Sequence, residues 1–304
     1  MEDEIKDLGR AFLVTFVVLA VQLYGWYLSH SLALLGDSAH VFSDVLAMGA
    51  SLSALWLATR APTDRRTFGF HRVEVFAAFF NGILLILMAL LIAYEAMMRI
   101  GTIYEINGIP MLITSIIGLA GNIYVAYLLQ HEENLNIRSA FLHAAGDALS
   151  SIGVIFGAIV ILYTGQYLAD IVVSFVISGV ILFSAYSILR SSLSILLESA
   201  PYGAEENKIR QTVKKIKGVR GVHDVHVWRT CSELVFAMIH VETENVKLVY
   251  TRIMADEIEE KLRHEFGILH TTIQFEPYGC SCRSKRMCHL LEHKEKKHRH
   301  GPNA

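Results

Sequence analysis

Residues 31–44 read Ser31-Leu-Ala-Leu-Leu-Gly-Asp-Ser-Ala-His40-Val-Phe-Ser-Asp44, and the spacing of their last five returns as His143-Ala-Ala-Gly-Asp147. Both pairs lie within stretches that otherwise read as membrane-spanning helices. A histidine and a carboxylate at i and i+4 share one helix face. Ionisable groups at membrane depth are costly, so they are read first as functional. Two such faces can supply four ligands to one ion.

Working outward, the chain is 53% hydrophobic with a mean hydropathy of +0.41 over 304 residues, too apolar for an ordinary soluble protein. Six apolar segments follow one another, roughly Ala11 to Leu28, Leu32 to Thr59, Val73 to Met98, Ile109 to Leu129, Ala140 to Tyr163 and Leu168 to Leu189. Each is long enough to cross a hydrocarbon core. Segments two and five are rich in small residues such as Ala47, Gly49, Ala50, Ala144, Ala145 and Gly146, which let helices approach closely in lipid. The other four carry few polar groups, notably Gln22, Asn81, Glu95 and Asn122, and are expected to shield the pair from lipid. Connectors after segments one, three and five hold Arg99, whereas the opposite side holds Lys6, Arg10, Arg60, Arg65, Arg66, Arg72, Arg138 and Arg190. The positive-inside rule then puts both termini in the cytoplasm. The acidic opening residues lack the basic region and cleavage site of a signal peptide, so the first segment is expected to be retained.

Of the 27 Lys and Arg residues, nine precede Pro201 and eighteen follow it. The expected organisation is a cytoplasmic N-terminus (1–10), a six-helix transmembrane bundle (11–200), a cytoplasmic domain (201–278) and a mobile Cys/His-rich tail (279–304). In the third part, a helix from Glu205 to Lys217, strands Val222 to Trp228 and Leu234 to Val241, a helix from Val246 to Phe266 and a strand Thr271 to Glu276 give an αββαβ order. That is a ferredoxin-like, metallochaperone-like α+β outline. All four cysteines lie in this second half, a distribution suited to thiolates and a reducing compartment. Net charge, −2, averages regions facing different solvents, and no nucleic-acid footprint is present.

Two imidazoles and two carboxylates suit four-coordinate Zn²⁺. Mg²⁺ and Ca²⁺ prefer more oxygens, while Co²⁺, Ni²⁺, Mn²⁺ and Fe²⁺ fit the same set, because affinity order alone seldom decides selectivity. One isolated pair would serve equally well as polar glue between helices. A second with the same spacing and residue order makes coincidence a weak explanation. Asp37, one turn before His40, suits either an access path or a helix start.

The stretch Ser31 to Asp44, the loop Arg66-Thr-Phe-Gly-Phe-His-Arg-Val-Glu74 and the stretch Asn136-Ile-Arg-Ser-Ala-Phe-Leu-His-Ala-Ala-Gly-Asp147 together resemble the cation diffusion facilitators, from about residue 10 to Glu276. The likeness is to the zinc-transporting branch, in which His rather than Asp opens the second-helix motif. It implies a homodimeric metal and proton antiporter, joined through the cytoplasmic domain and membrane helices, with His40, Asp44, His143 and Asp147 as the transport site. It also matches His240 and Glu276 to a cytoplasmic metal site, with His270 near a further ligand position and His71 as a loop histidine that approaches it. His223 is a weaker candidate, and His226, three residues on, is expected on the opposite strand face. Each of these histidines suits a solvated or interface role equally well. Cys280 and Cys282, followed by Cys288, His289 and His293, resemble a cysteine pair found past the same strand, although CxC is not the CxxC of structural zinc sites. Arg72 and Glu198 resemble a charge pair at the dimer's cytoplasmic membrane surface, and ordinary surface charges fit those positions as well. Compact loops point to a prokaryotic cytoplasmic membrane.

Neutral histidine and ionised carboxylate bind metal, so protonation expels it, and an inward proton gradient can drive the ion out. The same antiport of Co²⁺, Ni²⁺, Mn²⁺ or Cd²⁺ is the nearest alternative. An intramembrane metalloenzyme is a second, but the chain has no HExxH motif, and four protein ligands leave no open coordination position. A non-transporting metal sensor is a third, and it leaves the intramembrane quartet without a role.

Overall fold

A computed structural model describes residues 2–58, 64, 67–102, 105–129, 136–232 and 234–279, with backbone alone at 2–8, 51, 54–58, 129 and 136–146. It divides into two compact units, Met1–Leu193 and Ser194–Ala304. That division lies inside the end of the sixth helix, earlier than the shift in composition at Pro201. Compactness follows packing and composition follows solvent, and the two need not change at one residue. The expected tail, 279–304, lies outside the described residues from Cys280 onward.

The first unit is six helices: α1 (Glu2–Ser29), α2 (Leu32–Ala58), α3 (Arg72–Met98), α4 (Gly108–Leu129), α5 (Asn136–Thr164) and α6 (Leu168–Leu196). Among the described residues, five of these are long and apolar enough to cross a membrane, within Gly9–Ser29, Arg72–Met98, Gly108–Leu128, Asp147–Thr164 and Leu168–Leu196. The sixth, α2, is 27 residues long, has side chains outside the described residues at 51 and 54–58, and carries Asp37, Ser38, His40, Ser43 and Asp44 in its first half. Large apolar side chains point outward, including Phe80 (64% exposed), Leu91 and Phe183, as expected of a surface solvated by lipid.

Inside the unit, α1 packs on α2 and α4, α2 on α3 and α5, and α4 on α5. Leu34 of α2, Leu85, Ala89 and Ile92 of α3, Val154 and Ala158 of α5, and Ile177, Ile181 and Ala185 of α6 share one buried cluster. Lipid tails are as apolar as leucine, so these contacts are won by close fit. Glycine supplies it: a Cβ on Gly25 of α1 would lie 2.3 Å from Thr114 Oγ1 of α4, and one on Gly36 of α2 would lie 2.8 Å from Ile177 Cγ2 of α6.

The second unit contains α7 (Glu206–Val213), β1 (Val219–Arg229), β2 (Val235–Thr243), α8 (Leu248–Phe266) and β3 (His270–Pro277), in the αββαβ order expected. The sheet runs β1-β2-β3, antiparallel between β1 and β2 and parallel between β2 and β3, with α8 as the crossover. Gly267 ends α8 at φ 66°, its N–H bonding to Arg263 O and that of Ile268 to Leu262 O. Ala237, Ile239 and Val241 of β2 pack with Ile209, Val213, Ile258 and Leu262 of the helices. Alternation then sends His240 and Glu242 to the other face.

Candidate metal centre

Ser31 opens α2 as its cap, its Oγ accepting the Leu34 N–H at 3.0 Å. Two turns in, Asp37 is 1% exposed; its Oδ2 accepts from Gln22 Nε2 of α1 at 2.7 Å and from Ser151 Oγ of α5 at 3.1 Å. Asp37 is therefore neither a helix start nor an access-path residue facing solvent. It is a buried node joining three helices. Its two donors compensate a carboxylate that would otherwise be expensive to bury.

One turn further along α2, His40 Nε2 lies 2.5 Å from Asp147 Oδ1 of α5, with the two side chains 12% and 10% exposed. His40, Asp44 and Asp147 each offer an atom within 4.8 Å of the others, a cluster able to hold a metal ion. On the other flank, Asn81 Nδ2 of α3 donates to Ser43 Oγ at 2.8 Å, holding α2 from behind. His143 lies one turn before Asp147 on α5, but its side chain is outside the described residues. Three of the four expected ligands therefore meet, contributed by two helices that pack together.

A second cluster sits on the open face of the soluble sheet. His223 and His240 are paired across β1 and β2, their rings edge to face at 5.4 Å. His223 Nε2 lies 3.2 Å from Glu276 Oε2, and His240 Nδ1 lies 3.0 Å from Glu276 Oε1. All three offer atoms within 4.8 Å of one another. Gln274 Nε2 donates to Glu276 Oε1 at 2.8 Å, and Glu242, 5% exposed in its side chain, lies 3.4 Å from His223 Nδ1. Gly221 makes room for that carboxylate, because a Cβ there would come within 2.4 Å of Glu242 Oε2.

The described ligand set corrects two expectations. His270 starts β3 beside Phe236, six residues and about 20 Å of strand from Glu276; the cluster takes His223 in its place. His226 shares the face of His223, because β1 shifts register between them: His223 faces His240 while His226 faces Met238. The extra residue restores the face that an odd spacing would change. Asp224 sits at this bulge with φ 49°, its carboxylate 3.1 Å from His226 and 3.7 Å from His240. A bulge leaves no reliable mark in single-sequence alternation, which is why His226 was expected on the opposite face.

His71 lies at the start of α3 in the first unit. Cys280 and Cys282 lie outside the described residues. The described cysteine, Cys231, is a buried free thiol.

Residues 8–197 match the cation efflux transmembrane domain and residues 201–278 the cytoplasmic domain of cation efflux proteins. The chain belongs to the cation efflux family, and is a multi-pass membrane transporter rather than an enzyme. It is 38% identical over 295 residues to the zinc transporter ZitB of Shigella flexneri, covering 96% of this chain and 92% of that one. It is 33% identical over 300 residues to the cadmium, cobalt and zinc/H(+)-K(+) antiporter of Bacillus subtilis, covering 96% of each. Against the metal cation efflux system protein CzcD of Cupriavidus metallidurans, identity is 32% over 277 residues, with 90% and 87% covered.

Proposed function

We propose that this protein exports Zn²⁺ from the cytoplasm in exchange for protons, at a site formed by His40, Asp44, His143 and Asp147. The observation that carries the reading is the meeting of His40, Asp44 and Asp147 between α2 and α5 in an otherwise apolar bundle. Borderline-soft Zn²⁺ accepts both imidazole nitrogen and carboxylate oxygen in four-coordination. The short His40–Asp147 contact is one that a proton bridges, and a metal ion would use the same two atoms. Metal and proton then compete for one site, which is the chemical requirement for exchange.

Transport is tested with the full-length protein in proteoliposomes across a set pH gradient, competing Cd²⁺, Co²⁺, Ni²⁺ and Mn²⁺ against Zn²⁺. The relative named for cadmium, cobalt and zinc supports a broader cargo range as the second reading. Equal flux of all five ions would replace zinc selectivity by general divalent export. No flux of any would remove the assignment.

The cluster of His223, His240 and Glu276 is proposed as a regulatory zinc site, with two copies of the chain drawn together through their cytoplasmic domains. The Cys280 and Cys282 pair is proposed to capture metal. Both termini are placed in the cytoplasm by the positive-inside asymmetry of the loops, in the cytoplasmic membrane of a prokaryote as the named relatives favour.

A further inference from the structure

The turn between α1 and α2 is two residues long, His30 and Ser31, and His30 takes φ 57° to make it. Both helix ends are therefore buried close together at one end of the bundle. Each is met by a charge of the sign it needs. Asp170, in the first turn of α6 and 0% exposed, accepts the Ser31 hydroxyl at 2.5 Å, the Leu32 N–H at 2.9 Å and the Ala33 N–H at 3.2 Å. Arg99, just past α3, donates from Nη1 to His30 O at 2.8 Å. An anion at the start of α2 and a cation at the end of α1 match the partial charges of the two helix ends.

We propose that Asp170 is a positioning residue for transport, holding α2 at the depth and rotation that align His40 and Asp44 with Asp147. The inference rests on the transport reading of that cluster. A helix advances 1.5 Å and turns 100° per residue, so axial slippage by a single residue would swing His40 away from α5. Apolar side chains resist such a slip weakly in lipid, because one greasy surface is exchanged for another. Three charge-assisted hydrogen bonds to the first turn resist it strongly. Asp170 does not itself reach the ion: nine residues of helix, about 13.5 Å, separate Ser31 from His40. It acts through the backbone of α2.

The test is Zn²⁺ uptake by full-length protein in acid-loaded proteoliposomes, with half-saturating Zn²⁺ measured per folded molecule for wild type, Asp170→Asn and Asp170→Ala. Asp170→Asn keeps the shape and one acceptor. Misalignment of a ligand by about 1 Å is costly, so half-saturation should rise about tenfold in Asp170→Ala and less in Asp170→Asn. Ser31→Ala, which removes one donor and leaves Asp170 in place, should shift the constant in the same direction. It decides the matter with Asp170→Asn should Asp170→Ala fail to fold. A purely structural role lowers folded yield and leaves half-saturation unchanged in every variant that folds; that outcome overturns the proposal. Wild type that moves no zinc overturns the transport reading instead, and this inference falls with it.

Discussion

Asp147 has a partner at 2.5 Å on another helix and an aspartate close enough to share an ion. An amide in its place cannot ionise, so Asp147→Asn should lower pH-driven Zn²⁺ flux by at least about 100-fold while the protein remains folded, as read by a zinc-sensitive dye inside the vesicles. His40 carries the case for zinc over harder ions. Exchanging its nitrogen for oxygen in His40→Asp should shift competition toward Mn²⁺, the ion that oxygen sets favour; an unchanged preference would remove His40 from the selectivity argument. In the soluble unit, Glu276 touches both histidines of its cluster. With the membrane site disabled by Asp147→Asn, calorimetry should find tight Zn²⁺ binding that Glu276→Ala abolishes. At this scale the pairs His40–Asp44 and His143–Asp147 were legible, since two copies of an unusual polar spacing stand out against an apolar background. Asp170 was not. A carboxylate in a helix's first turn looks like ordinary dipole compensation for its own helix, whereas its partners lie 137 to 139 residues away.

At the scale of elements, small residues set how near the helices come. Gly25 leaves no room for a larger side chain beside Thr114. Gly25→Val should therefore push α1 from α4 and destabilise the bundle by roughly 1–3 kcal/mol, seen as a lower midpoint of thermal unfolding in detergent. An unchanged midpoint would mean that the two helices separate without cost. The β1 bulge has the corresponding role in the soluble unit, returning His226 to the face of His223. The number and order of the helices and the αββαβ order were readable because periodicity is local, whereas helix ends were not: α7 stops at Val213 rather than Lys217, and α6 runs on to Leu196. The bulge that turns His226 was not readable, and neither was the pairing that sets His223 opposite His240 and His270 beside Phe236, because register is fixed by the partner strand.

For the whole molecule, exchange of metal for proton predicts direction as well as rate. Protons leaving an acid lumen should draw Zn²⁺ inward, and an ionophore that collapses the gradient should abolish accumulation; accumulation that survives collapse would exclude the exchange. The sequence by itself determined the membrane class, the six helical segments, the αββαβ order of the second unit and the two His/Asp pairs proposed as ligands, because hydropathy, helical spacing and strand alternation are properties of neighbouring residues. Only the tertiary structure decided which residues meet: His40 with Asp147, Asp37 with Gln22 and Ser151, His223 with Glu276, and Asp170 with the opening of α2. Those pairings join residues far apart in the chain, and they are set by the packing of helices and the register of strands, which no local pattern encodes.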